Sequence, residues 1–143
     1  MYLIELTEFG IRLTFEGQVS APEMAAWYRE SKAALPGLPR PFYVFIDMRT
    51  MIPLDREAQV HIEAGQTLYR LTGMERSVVI FQSPVTAAQF RRIGGETGIA
   101  RNERYIDATT FHNWEEVGLD WLLNRVEPDS WLLDSKKAIG AEF

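Results

Sequence analysis

The chain has 143 residues, 46% apolar and 24% charged, the composition of an ordinary globular protein of one domain. Its 20 acidic and 15 Lys or Arg residues give a net charge of −5, which argues against nucleic acid or an anionic membrane surface as a partner. The absence of cysteine excludes disulfides, thiolate metal ligands and cysteine nucleophiles, and it fits a cytoplasmic protein. Glu5 and Glu8 stand where a signal peptide would be basic, and the longest apolar run, residues 42–46, is too short to span a membrane.

The N-terminal part predicts a β-hairpin followed by a helix. Residues 2–7 indicate a first strand, and residues 11–19 alternate between an apolar and a polar face, as in a strand with one side in water. Two such strands joined by a short connection predict an antiparallel hairpin. Ser20, with Glu23 three residues later, has the pattern of a helix capping box.

Two apolar strands, each followed by a helix, come next. Residues 43–46 and 77–81 are apolar on both faces, which is typical of interior strands in a parallel sheet. The first is followed by a helix predicted over residues 55–71. Ser83 and Pro84 mark the start of the second helix, with serine as the N-cap and proline at the first helical position.

The last predicted elements are a short strand at residues 104–108 and a final amphipathic helix that contains Trp114 and Trp121. The resulting order, β-β-α-β-α-β-α-β-α, predicts a single α/β domain. Its five-stranded sheet should be mostly parallel, with an N-terminal antiparallel hairpin and four helices. We assign residues 1–125 to this domain and residues 126–143 to a C-terminal extension.

Four segments carry a resemblance to a known family: FIDMRTMIPLDREA, GMERSVVIFQSPVTAAQF, RYIDA and WEEVGLDWL. Together with the element order, they resemble the STAS-like, or SpoIIAA-like, fold of the anti-sigma-factor antagonists, in an uncharacterised bacterial branch. In the regulatory members a strand ends in Asp, and an Asp-Ser-Ser-Gly phrase then opens a helix and is phosphorylated on serine. Asp47 matches the strand-end aspartate, whereas residues 55–58 read Asp-Arg-Glu-Ala. The resemblance therefore implies a non-enzymatic binding or regulatory module without the serine phosphorylation switch.

Ligands of open α/β sheets gather at the carboxyl ends of the strands, which selects five candidate ligand-binding residues: Asp47, Arg49, Thr50, Ser83 and Asp107. If Asp47 and Asp107 lay close together, they would offer an acid and a base, so the alternative function is a small-molecule enzyme. The simpler interpretation is that each carboxylate bonds loop amides or a nearby arginine.

Other polar residues have structural interpretations. Asp55 is predicted to be the N-cap of the helix that follows it. Ser83 lacks the Gly-x-Ser-x-Gly surroundings of a nucleophile elbow. The two histidines, His61 and His112, are too far apart in sequence to suggest a metal site, and we expect no metal and no cofactor.

The C-terminal extension is not polar throughout, because it contains Trp131, Leu132, Leu133, Ile139 and Phe143. Burial of such side chains is worth roughly 1.5–3 kcal/mol each, so we expect them to be covered. We predict a homodimer in which Trp131 and Leu132 contribute intermolecular contacts or support the surface that does. The alternative is that the extension docks on its own monomer. A protein or a small apolar ligand is the expected further partner.

Overall fold

The structure, a computed structural model, describes residues 1–132. The strands are β1 (Tyr2–Leu6), β2 (Gly10–Phe15), β3 (Phe42–Asp47), β4 (Met74–Phe81) and β5 (Glu103–Asp107). The helices are α1 (Ala21–Ala34), α2 (Arg56–Thr72), α3 (Pro84–Thr97) and α4 (Trp114–Asn124). Short 3-10 turns follow α1 and α3, and residues 128–132 are helical. The predicted element order is confirmed.

The strands form one sheet in the order β1-β2-β3-β4-β5. β1 and β2 pair antiparallel, and every other neighbouring pair is parallel. The predicted hairpin and mostly parallel sheet are therefore confirmed. Since consecutive strands are neighbours, each crossover returns the chain beside the strand it left, and crossovers of one hand place their helices on one face.

β2 is shorter than predicted: it ends at Phe15 and does not continue to residue 19. Gly17 has a φ of +61°, in the left-handed region that favours glycine. Its N–H donates to the carbonyl of Thr50, and its carbonyl accepts from the N–H of Ile52. The end of the predicted strand thus holds the loop that follows β3.

The two faces of the sheet carry separate apolar clusters. Helices α1, α2 and α3 pack on one face, which includes Leu13, Val44 and Val79. Helix α4 packs on the other face over β3, β4 and β5, against the fully buried side chains of Phe45, Val78, Ile80 and Ile106. The prediction that the interior strands are covered on both sides is confirmed, and α4 of the same chain is the cover.

The C-terminal end of α4 is anchored by two arginines on the sheet. The buried Arg76 guanidinium donates twice to the carbonyl of Leu122, at 3.0 and 2.8 Å. Arg104 lies 4.1 Å from the centre of the Trp121 ring and forms a bidentate pair with Glu127 at 2.7 and 2.8 Å. The Trp121 indole N–H donates to the carbonyl of Ser77. These contacts fix α4 and the start of the extension on one side of the molecule.

The described part of the extension docks on its own chain. Trp131 is partly buried and packs against the α4 cluster, while Leu132 remains 38% exposed. Leu133, Ile139 and Phe143, which also entered the dimer prediction, lie outside the described residues.

Candidate functional site

The loop between β3 and α2, residues 48–55, begins with an ion pair between Asp47, the last residue of β3, and Arg49. Asp47 is 7% exposed, and its carboxylate accepts from the backbone N–H, Nε and Nη2 of Arg49 at 3.2, 3.0 and 3.0 Å. The guanidinium carbon of Arg49 lies 4.2 Å from the centre of the Trp114 ring. Its hydrogen bonds with Asp47 raise the pKa of Arg49, so the guanidinium stays charged. Asp47 is therefore engaged by Arg49 and holds it against α4.

Helix α3 fixes the remainder of this loop. The Gln89 amide clamps the backbone of Leu54, since its Oε1 accepts from the Leu54 N–H at 2.7 Å and its Nε2 donates to the Leu54 carbonyl at 2.8 Å. The Thr86 hydroxyl donates to the carbonyl of Met51 at 3.0 Å. With the Gly17 contacts on the other side, the loop is held by hydrogen bonds along its length.

One exposed apolar side chain lies on this fixed loop and another lies on the helix that holds it. Ile52 is 48% exposed and Val85, in the first turn of α3, is 67% exposed. They are the sequence neighbours of Met51 and Thr86, whose hydrogen bond joins the loop to α3. Arg49 and Thr50 add polar groups to the same segment. We call Arg49, Thr50, Ile52 and Val85 the loop surface.

Asp55 ends the loop as the N-cap of α2, and its Oδ1 accepts from the N–H of Ala58 at 2.8 Å. This prediction is confirmed. The Ser20 capping box is present as predicted, and the Ser83 hydroxyl accepts from the N–H of Thr86 at 3.3 Å. Ser83 thus supports the loop surface as the cap of α3.

Asp107 does not lie with Asp47. Its Oδ1 accepts from the N–H and the hydroxyl of Thr109, at 2.9 and 2.6 Å. Asp47 is aligned with Ile80 on β4, whereas Asp107 is aligned with the next residue, Phe81. Successive residues of a strand point to opposite faces, so one carboxylate lies on the α4 face and the other on the α1–α3 face. The geometry does not assemble them into an acid–base pair.

A buried polar cluster lies on the α1–α3 face, away from these loops. The Glu103 carboxyl group is 4% exposed and accepts from the Ser77 hydroxyl at 2.8 Å and the Tyr105 hydroxyl at 2.6 Å. Burial raises the pKa of Glu103 above its ordinary value of 4.5, and it also raises the pKa of Tyr105. Glu103, which stands just before the predicted β5, was not among the candidate residues from the sequence. The available signal was Ser77, a polar residue in an otherwise apolar interior strand, which needs a buried hydrogen-bond partner.

Glu103 also borders an internal cavity of about 30 Å³ beneath the helices. Its walls are almost entirely apolar, and they include Trp27, Gln66 and Ser77. The buried indole N–H of Trp27 has no hydrogen-bond partner among residues 1–132. This volume corresponds to the space of about two water molecules. It is too small for a typical organic ligand, which occupies roughly 300–1,000 Å³.

Within residues 1–132, no group of three or more His, Asp or Glu side chains is placed to hold a metal ion. None of the helices in that range combines the length and the apolar character needed to cross a membrane.

This architecture, a hairpin continued by strand–helix units with a capped helix after β3, is the SpoIIAA-like fold. The structure is similar to the crystal structure of an uncharacterised protein of the DUF3478 family with a SpoIIAA-like fold from Shewanella loihica PV-4. The TM-score is 0.60 at 17% sequence identity, and the match covers 85% of this chain and 92% of the other. The resemblance inferred from the sequence is thereby confirmed at the level of fold. No protein-family model and no curated protein matches the sequence.

Proposed function

We propose that this chain is a non-enzymatic binding or regulatory module that works without the serine phosphorylation switch of the anti-sigma-factor antagonists. The observation that carries the proposal is the start of α2. Asp55, the retained residue of the Asp-Ser-Ser-Gly phrase, caps the helix, and the next two residues, Arg56 and Glu57, have no hydroxyl group to accept phosphate.

A protein is the partner that the geometry supports best. The loop surface presents Ile52 and Val85 from a backbone that hydrogen bonds already hold, so binding would cost little ordering of the loop. The internal cavity is too small for most organic ligands, which disfavours a buried small-molecule site. In this proposal Arg49 and Thr50 make polar contacts at the rim, and Asp47 and Ser83 hold the elements in place. Asp107 shapes the neighbouring loop after β5.

We further propose that the protein is a bacterial, cytoplasmic homodimer. The lack of cysteine supports a reducing compartment, and the likeness to a Shewanella protein supports a bacterial source. We retain residues 1–125 as the domain and 126–143 as the extension, a division supported by the end of α4 at Asn124.

The absence of a switch is tested by incubating the protein with Ser/Thr kinases of the antagonist-phosphorylating kind and locating phosphate by mass spectrometry. We expect none on residues 47–58. Thr50 is the only hydroxyl residue in that range, and a stoichiometric phosphate on Thr50 would falsify the proposal of a loop without a switch.

The binding surface is tested by affinity capture from a bacterial lysate with wild-type protein and two variants. Ile52→Glu places a charge in the loop surface. Leu71→Glu places the same charge at the far end of α2, where the leucine is 69% exposed, and serves as the matched control. We expect a protein captured by both the wild type and Leu71→Glu to be lost with Ile52→Glu. Equal capture by all three proteins contradicts the loop surface as the binding site.

A further inference from the structure

The outer edge of β1 carries unpaired backbone groups in a regular pattern. Met1 and Glu16 exchange two backbone hydrogen bonds, as do Thr7 and Gly10 at the other end of the hairpin. In an antiparallel pair such bonded residues alternate with residues whose N–H and C=O groups point away from the partner strand. The backbones of residues 3 and 5 therefore bond to β2, and those of Tyr2, Ile4 and Leu6 point to the free edge. β1 is the end strand, and these six groups have no hydrogen-bond partner among residues 1–132.

This edge lacks several of the features that normally prevent strand pairing, although the strand is short and contains the charged Glu5. β1 reads Tyr-Leu-Ile-Glu-Leu, without proline, lysine or a bulge. Leu3 is 47% exposed and Leu6 is 66% exposed. An edge of this kind is a template for another strand.

The opposite edge of the sheet differs, because its own chain covers part of it. Arg104 donates from Nη1 to the carbonyl of Glu103 on β5. The same side chain pairs with Glu127, which brings the start of the extension beside this strand. Of the two end strands, β1 is the one that residues 1–132 leave open along its length.

We propose that β1 is the homodimer interface and pairs antiparallel with β1 of a second copy of this chain, joining two five-stranded sheets into one. This inference rests on the homodimer proposed above and names its surface. A two-fold axis at Ile4 places Ile4 opposite Ile4, and Tyr2 opposite Leu6, of the other copy. All six outward groups on each strand then form hydrogen bonds, six across the interface.

The side chains are compatible with this register. Directly opposite residues share a face, so Tyr2, Ile4 and Leu6 pack together on the α1–α3 face. On the other face Glu5 lies opposite Leu3 of the second copy, so no two carboxylates are directly opposed. Two five-residue strands bury less than the roughly 1,200 Å² of a standard interface, so we expect a reversible dimer that dissociates in the micromolar range.

Hydrogen exchange and light scattering of the full chain test the interface together. Because Leu3 and Glu5 bond within the hairpin, their amides should be protected at every protein concentration. The amides of Tyr2, Ile4 and Leu6 should become protected only as the dimer forms. Ile4→Pro removes the central N–H, which faces outward and is therefore a tolerated proline position. We expect this variant to be monomeric and Ile4→Val, which keeps the N–H, to dimerise like the wild type.

A wild-type monomer throughout the micromolar range overturns the homodimer and its interface together. A dimer in which the amides of Tyr2, Ile4 and Leu6 exchange freely overturns the β1 interface alone. If circular dichroism shows that Ile4→Pro does not fold, Leu6→Lys tests the interface instead. Leu71 on α2 is similarly exposed, so Leu71→Lys is the control. Loss of the dimer only with Leu6→Lys supports the interface, and an unchanged dimer overturns it.

Discussion

Two aspartates at the ends of one loop show how the same residue type takes different roles. Asp47 pairs with the guanidinium of Arg49, and Asp55 accepts from the first turn of α2. Both oxygens of Asp47 are engaged in an ion pair that orients Arg49 on Trp114. Neither aspartate needs a ligand to explain its position.

The cap at Asp55 leads to a direct prediction. Asp55→Ala removes the acceptor for the Ala58 N–H and should lower the free energy of unfolding by about 1 kcal/mol, whereas Asp55→Asn, which caps as well, should be nearly neutral. Urea unfolding measures both variants. A loss of partner binding with Asp55→Ala at unchanged stability would instead give the carboxylate a functional role.

Glu103 gives a prediction on pH dependence. Burial raises the pKa of Glu103 in the folded state above the ordinary 4.5. At a pH between the ordinary and the raised pKa, Glu103 has lost its proton in the unfolded chain and keeps it in the folded chain. The Glu103 contribution to stability is therefore complete at low pH and declines as the pH rises above 4.5 towards the raised pKa.

Glu103→Gln removes this titration and keeps a similar shape. Its stability relative to the wild type should increase as the pH rises above 4.5 towards the raised pKa of Glu103, measured by urea unfolding at a series of pH values. A stability difference that stays constant over this range contradicts a proton-retaining Glu103.

At the scale of elements, two helical glycines that look alike in the sequence have different surroundings. Gly65 on α2 faces the ring of Trp27 on α1, so an added Cβ would collide with the indole. Within residues 1–132, no atom outside the adjoining turns of α3 lies within 4 Å of the position where the Cβ of Gly95 would be. Close approach of α1 and α2 therefore depends on Gly65, and nothing in α3 packing depends on Gly95.

Alanine substitutions separate helix propensity from packing at these positions. Gly95→Ala should stabilise the protein by about 1 kcal/mol, because alanine is the better helix former. Gly65→Ala gains the same propensity but should be destabilising, since overpacking of a core costs about 1–3 kcal/mol. Thermal unfolding of the pair checks this, and a stabilised Gly65→Ala would contradict the tight contact between the two helices.

At the scale of the whole molecule, the extension and β1 lie at opposite ends of the sheet. Glu127 pairs with Arg104 on β5, and Trp131 packs on the α4 cluster, whereas β1 is the other end strand. The described part of the extension therefore stabilises its own subunit and leaves the β1 edge free.

Truncation after Val126 tests this separation. The shortened chain loses the Arg104–Glu127 pair and the Trp131 contact, and should be less stable by about 1–3 kcal/mol. Light scattering should still show the dimer, and full-length Trp131→Ala serves as the control for lost packing. A truncated chain that is folded but monomeric would contradict the β1 interface. It would show that the extension forms the dimer contacts, as its apolar residues predict.

The sequence by itself determined the element order, the helix caps at Ser20, Asp55 and Ser83, and the two-sided burial of the interior strands. These features depend on residues close together in the chain: side chains alternate along a strand, and a cap acts within one turn of its helix. The order of the strands in the sheet was not among these predictions, and the structure supplies it.

Only the tertiary structure decided which distant residues meet. A shift of one residue in register sends a side chain to the other face of the sheet. Asp47 and Asp107 therefore lie on opposite faces, although each is the last residue of its strand. Glu103 joins Ser77 through the alignment of β4 and β5, a pairing that spacing along the chain does not reveal. Gly17, which the alternating pattern placed in β2, instead bonds to Thr50 and Ile52 of a loop far along the chain. Local patterns specify the elements, and the contacts between elements depend on how the sheet aligns them.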